Sequence, residues 1–343
     1  IATKFFTCTL SVMYREKTKE GEIYGGPMYV IKNGLPKRML PLAYFFALAG
    51  MIGCLPAFQS NQLIQITGDL AFSEVENFNI FGGLALAGIT GIVVIGGLKR
   101  IAEVATFLVP LMGSIYFGAM LIALILNLDQ VFPAFKLILV DAFNGTAIAG
   151  GTFFGVLIYG VRRGAFSNEA GMGTESLVHG VAKVSDPVKQ GLVAMTGPIF
   201  DTLIICTATA LMILISGVWE TSASQGVTLT AEAFSMLLGN FGAFILFICV
   251  ICFGLSTIFT YSYYGASCSR FLFGKFGMNF YTYLYIFSIF IYSIVPIDIA
   301  INIADGAFAM MAIPTLVSAL WLAPKVMQAS RNYFKLVDNY WKN

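Results

Sequence analysis

Three clusters of polar side chains stand inside strongly apolar stretches of this chain, and their types limit the chemistry available to them. Gln59 follows Pro56 and opens the run Gln59-Ser60-Asn61-Gln62. Its amide can donate to a carboxylate and accept from an ammonium; Asn61 reads as a supporting group. Phe166-Ser167-Asn168-Glu169 follows Gly164, the expected position of a helix break. A break there exposes backbone amides and carbonyls, and half-helix dipoles can hold the two charges of a zwitterion. Phe166 would cap the apolar side of such a ligand. Ser256 and Thr257 offer two adjacent hydroxyls, hard oxygen donors of the kind that small hard cations prefer. Each cluster also has a plainer use. Gln59 can form an interhelical hydrogen bond worth ~1 kcal/mol. The true break can lie at Gly150-Gly151, leaving 166–169 in a loop beside Arg162 and Arg163. Helical Ser and Thr can bond their own i−4 carbonyls.

Little else in the chain invites chemistry. The single histidine, His179, excludes a multi-histidine metal site, and no carboxylate pair at useful spacing accompanies a nucleophile. Cys249 and Cys252 have a redox-like spacing, but they lie in an apolar helix without a second pair. Asp201, Asp298 and Asp305 are acids in or beside apolar runs. Asp298 reads as surface-exposed beside Pro296, and Asp201 and Asp305 read as structural. Glu169 is expected to pair structurally, for example with Arg163, rather than to carry protons. With no phosphate-binding GxxxxGK loop, ATP is not expected as a ligand. A net charge of +2 gives no reason to expect a nucleic-acid partner. No channel filter motif is present either.

The elements that must position these groups are membrane spans. Hydrophobic residues make up 58% of the 343, charged ones 11%, and mean hydropathy is +0.82. A soluble domain carries roughly a quarter charged residues. Apolar runs lie at 39–70, 78–97, 101–126, 134–164, 188–217, 230–264, 278–298 and 302–324, with a partial helix at 1–14. The reading is an all-α polytopic membrane protein with a single transmembrane domain in the bilayer. Eighteen of the twenty Lys and Arg residues sit on alternate loops, Lys4 and Lys136 being the exceptions. That alternation places the 15–38 and 162–190 loops and the C-terminus in the cytoplasm.

Three strings carry a family resemblance: Glu22-Ile23-Tyr24-Gly25-Gly26-Pro27-Met28-Tyr29, Gly96-Gly97-Leu98-Lys99-Arg100-Ile101, and Phe166-Ser167-Asn168-Glu169-Ala170-Gly171-Met172-Gly173. With Asp186-Pro187-Val188-Lys189-Gln190-Gly191 and Asp201-Thr202 in order, the whole chain resembles the alanine-or-glycine:cation symporter family. The resemblance implies a leucine-transporter-type inverted-repeat helical bundle with broken helices. It also implies sodium-coupled symport of alanine or glycine in the plasma membrane of a prokaryote. The alternative is a proton-coupled or other-substrate amino-acid transporter of the same fold. By resemblance, Gln59, Phe166, Asn168 and Thr257 contact substrate, and Ser256 and Thr257 contribute to a sodium site. The chain departs from the family pattern at Phe6-Thr7 (usually Ala-Glu), Thr174-Glu175-Ser176 (usually Ser-Ala-Pro) and Pro314-Thr315 (usually Pro-Asn). It opens on Ile1 without an initiator Met and is expected to be N-terminally truncated, lacking the first broken helix. Residues 1–343 alone are therefore expected not to transport.

Overall fold

The computed structural model describes residues 1–18, 21–143, 152–224 and 226–342. Apart from turns and connecting segments, the described chain is helical except for one short antiparallel pair, β1 (Glu16–Lys17) with β2 (Ile23–Tyr24). Before it runs α1 (Ala2–Met13), and after it α2 (Pro27–Gly34), α3 (Leu40–Gly53), α4 (Ala57–Ala71), α5 (Phe78–Val94), α6 (Gly97–Leu126) and α7 (Leu128–Ala142). The chain continues through α8 (Thr152–Asn168), α9 (Thr174–His179), α10 (Pro187–Ala194), a π-helical stretch at Ile199–Cys206, α11 (Thr207–Ser216), α12 (Val218–Thr221) and α13 (Val227–Leu238). Two long helices finish it, α14 (Asn240–Ile294) and α15 (Ile297–Lys342). Among the described residues, five helical stretches are long and apolar enough to cross a membrane: Lys37–Asp69, Gly97–Leu126, Pro187–Ser216, Phe241–Ile294 and Ile301–Val337.

Local sequence explains where helices start and break. Pro56 cannot continue the hydrogen-bond ladder of α3, and α4 begins immediately after it. Asp186 caps α10 by accepting from the Val188 amide at 2.8 Å, and Pro187 occupies the first helical position, where no donor is lost. In α14 the backbone turns at Gly274, with φ 66 and ψ −155, a conformation that side chains resist. The chain folds back there. The Tyr285 hydroxyl donates to the Ile258 carbonyl at 2.6 Å, and the Ser269 hydroxyl donates to the Gly277 carbonyl at 2.8 Å. The two limbs of α14 therefore pack on each other.

The largest cluster of buried side chains joins α3, α4, both limbs of α14, and α15 through Phe46, Cys54, Ile258, Phe259, Tyr281, Tyr285 and Met311. Tyr281 fixes α3 to it by donating to the Met51 carbonyl at 2.8 Å. At the other end, Arg270 stacks 3.8 Å from the Tyr24 ring centroid and pairs with Glu22 at 3.1 Å, tying the β-pair to the turn of α14. Lipid is as apolar as these side chains, so such helices associate through close packing and hydrogen bonds rather than by hiding from water.

Candidate substrate cavity

A cavity of about 510 Å³ lies where α4, α6, α8, the π-helical stretch and α14 meet. Gln59, Phe166, Ser256 and Thr257 all line it, joined by Glu169, Asp201 and Tyr261. Four residues chosen from three distant parts of the sequence thus face one space. The volume is within the range of small-molecule sites.

The break beside this cavity is not at Gly164, which is an interior residue of α8. It spans 169–173, where Glu169, Gly171 and Gly173 have φ of 58, 87 and 94. Left-handed backbone ends α8 at Asn168 and restarts the chain as α9 at Thr174. A side chain at Gly173 would also collide, its Cβ falling 2.7 Å from both Phe46 and Pro27. Phe166 and Asn168 therefore belong to the last turn before the break rather than the first residues after it. The alternative break at Gly150-Gly151 lies outside the described residues.

Two expectations about charge are corrected with it. Arg162 and Arg163 are not part of a basic loop, because α8 continues past them. Arg163 instead pairs with Asp305 of α15 at 3.0 Å, and Arg162 stands 3.9 Å from the same carboxylate oxygen. Glu169 does not take Arg163 as partner. It accepts from the Tyr261 hydroxyl and the Thr174 hydroxyl, each at 2.9 Å, and so bridges the break to α14 and α9.

The polar groups divide into engaged and open ones. Asn168 is engaged: its amide donates to the Thr202 hydroxyl at 3.2 Å, and its oxygen accepts from the Ala170 N–H at 2.9 Å. It holds the opened backbone at the cavity's edge and is not itself in the wall. Asn61 donates to the Val295 carbonyl at 2.6 Å, at the end of α14. The Ser256 hydroxyl donates to the Phe253 carbonyl at 3.0 Å, the plain helical use of such a group. Ser167 and Thr202 both donate to Asp201. By contrast, the Gln59 amide and the Thr257 hydroxyl make no hydrogen bond to a described residue and open onto the cavity.

Phe58, Phe166 and Tyr261 line the cavity, and Phe308 links the last two in one chain of ring contacts. Phe166 meets Phe58 edge-on at 6.1 Å and Phe308 at 5.4 Å, and Phe308 in turn meets Tyr261 at 6.3 Å. Sequence reasoning passed over Tyr261 and Phe308. Tyr261 had a signal, since it stands four residues after Thr257 and must share its helix face. Phe308 had none within its own neighbourhood, because only the tertiary crossing of α8 and α15 brings it to Phe166.

The residues marking departures from the family pattern also meet in space. Thr7 on α1 donates to Glu175 at 2.7 Å, and Thr315 on α15 donates to the Met172 carbonyl at 3.3 Å. Glu175 further accepts from the Gly173 N–H at 3.0 Å, and Lys4 donates to the Asn168 carbonyl at 2.9 Å.

Apolar spans around a cavity with unengaged polar groups, set at an interrupted helix, are the construction of a secondary transporter. The chain belongs to the sodium:alanine symporter family, which matches residues 1–342. It is 34% identical over 353 residues to the sodium/alanine symporter AgcS of Methanococcus maripaludis, covering 100% of this chain and 76% of that protein. An uncharacterized transporter of Bacillus subtilis, YflA, is 35% identical over 353 residues, covering 100% of this chain and 73% of the relative. The probable sodium/glutamine symporter GlnT of Bacillus subtilis is 32% identical over 335 residues, covering 97% and 69%. Family and relatives together indicate symport of an amino acid with a cation.

Proposed function

We propose that this protein carries a small neutral amino acid, alanine or glycine, across a prokaryotic plasma membrane together with sodium. Alternating access in a leucine-transporter-type bundle would move the two together. The observation that carries the reading is the convergence of Gln59, Phe166 and Thr257 on one cavity at a helix break. In this reading the Gln59 amide binds the zwitterion, and Phe166 covers the substrate's small apolar side. Asn168 holds the exposed backbone in place beside it. The Thr257 hydroxyl serves both ligands, facing the sodium ion with Ser256 behind it. Family membership supports the class of cargo, and the named cargo of the archaeal relative supports alanine.

No covalent step is needed. Substrate and ion binding at neighbouring groups gives each a favourable effect on the other's affinity, a coupling that is reciprocal by thermodynamic necessity. The test is labelled-alanine uptake by the intact protein in proteoliposomes under an inward sodium gradient, an inward proton gradient, or neither. Accumulation driven by sodium alone is expected. Accumulation driven equally well by protons without sodium would replace the ion, and equilibration without accumulation would make the protein a passive pathway.

A further inference from the structure

We infer that Asp305 is a positioning residue for the substrate cavity, acting through Arg163 to hold Phe166 over it. This rests on the transport reading above. On α8, Arg163 and Phe166 are three residues apart, and on α15 so are Asp305 and Phe308. Residues at that spacing share a helix face. The two pairs meet in register: Arg163 bonds Asp305 at 3.0 Å, and the Phe166 ring packs on Phe308 at 5.4 Å. The Arg163 guanidinium also lies 6.0 Å from the Phe166 ring centroid and 5.2 Å from that of Tyr159. One charged contact and one aromatic contact thus clamp the last turn of α8 to α15.

Asp305 is well placed to set this geometry. Its side chain is 17% exposed, and it lies within an apolar stretch of α15 long enough to cross a membrane. A carboxylate within an apolar span is costly unless paired. Both neighbouring arginines converge on its Oδ2. From Val156 to Val161 the side chains of α8 are exposed, whereas Arg163 and Phe166 in its last two turns contact α15. The Arg163–Asp305 bond is the shorter of the two ion pairs that reach α15 there, and it stands one helical turn before Phe166, whose own ring packs on Phe308. Loosening it lets α8 shift, and the Phe166 ring that lines the cavity shifts with it.

The experiment measures alanine uptake kinetics in the intact protein for Asp305→Asn, Asp305→Glu, Phe166→Ala and Asp305→Asn/Phe166→Ala, together with an Arg163→Asp/Asp305→Arg exchange. Asp305→Asn is expected to raise KM about tenfold with Vmax within about twofold, while Asp305→Glu stays near wild type. The exchange should recover most of the affinity. In the Phe166→Ala background, Asp305→Asn should have no further effect on KM, because the ring through which it acts is gone. An unchanged KM in Asp305→Asn, or effects that simply multiply in the double variant, would overturn the assignment. Should Asp305→Asn not accumulate as folded protein, Arg163→Lys carries the same test. It keeps the charge and loses the planar fork, so an increased KM supports the clamp and an unchanged one refutes it. Failure of the wild type to accumulate alanine would instead count against the proposed cargo. The same series would then be read on whichever neutral amino acid the wild type accumulates.

Discussion

Gln59 faces the cavity with an amide that no described neighbour engages, whereas Asn61, two positions on, is taken up by the end of α14. That difference makes Gln59 the more informative residue to change. Gln59→Ala is expected to raise the KM for alanine at least tenfold with folded protein retained. In the proposed reading it removes a hydrogen bond to a charged group of the substrate, worth roughly 1.5–3 kcal/mol. Uptake kinetics on material of equal monodispersity decide it. Thr257 calls for a different readout. Thr257→Ala should raise the sodium concentration for half-maximal uptake more than it raises the alanine requirement, since in the proposed reading the lost oxygen faces the ion. A wild-type sodium dependence would reduce Thr257 to packing. Ser256, with its hydroxyl already given to the Phe253 carbonyl, should be the more tolerant of the two.

Among elements, α9 and α10 hold the only histidine. His179 Nδ1 lies 2.5 Å from the Gln190 amide nitrogen, linking the two helices. Burial first, and the Lys4 ammonium second, push its pKa down to about 4. The unfolded chain titrates near the ordinary value of about 6.5. The contribution of neutral His179 to stability is therefore complete above that pH and is lost as pH falls from about 6.5 through 4. Melting temperature followed over that range should drop for the wild type and drop less for His179→Gln. The elements themselves were partly legible in the sequence. Pro56 announced the interruption before Gln59. The break at 169–173 was misplaced to Gly164, because a glycine inside a helix and a glycine at a break look alike in sequence. What separates them is φ, positive at Glu169, Gly171 and Gly173. Arg162 and Arg163 read as loop residues for a related reason. Their partner Asp305 lies 142 positions from Arg163, and no local pattern reveals it.

At the scale of the whole molecule, the proposed symport of one sodium with a neutral zwitterion moves one net charge. A potential of about 100 mV contributes ~2.3 kcal/mol per charge. A tenfold sodium gradient adds ~1.4 kcal/mol, and the sum corresponds to accumulation of several hundredfold. Uptake should therefore rise when an inside-negative potential is imposed at fixed sodium, and solid-supported membranes should record an alanine-evoked inward positive current. Uptake indifferent to the potential would require a counter-charge and a different stoichiometry. The sequence conveyed the membrane class through composition and the cargo class through three strings. The aromatic wall was not visible in it, since Phe58, Phe166, Tyr261 and Phe308 come from four separate helices.

The bond between Thr7 and Glu175 makes one buried contact out of two positions 168 residues apart. This chain keeps a hydroxyl on the α1 side of that contact and an acid on the α9 side, so a change at either position alters what the other must accept. Thr7→Glu should sharply lower the yield of folded protein, since it sets two carboxylates together in a buried place with a single ammonium nearby. Adding Glu175→Ala should restore the yield, although each change by itself looks harmful. Size-exclusion profiles of the two single variants and the double variant would show whether the contact accepts its acid from either side.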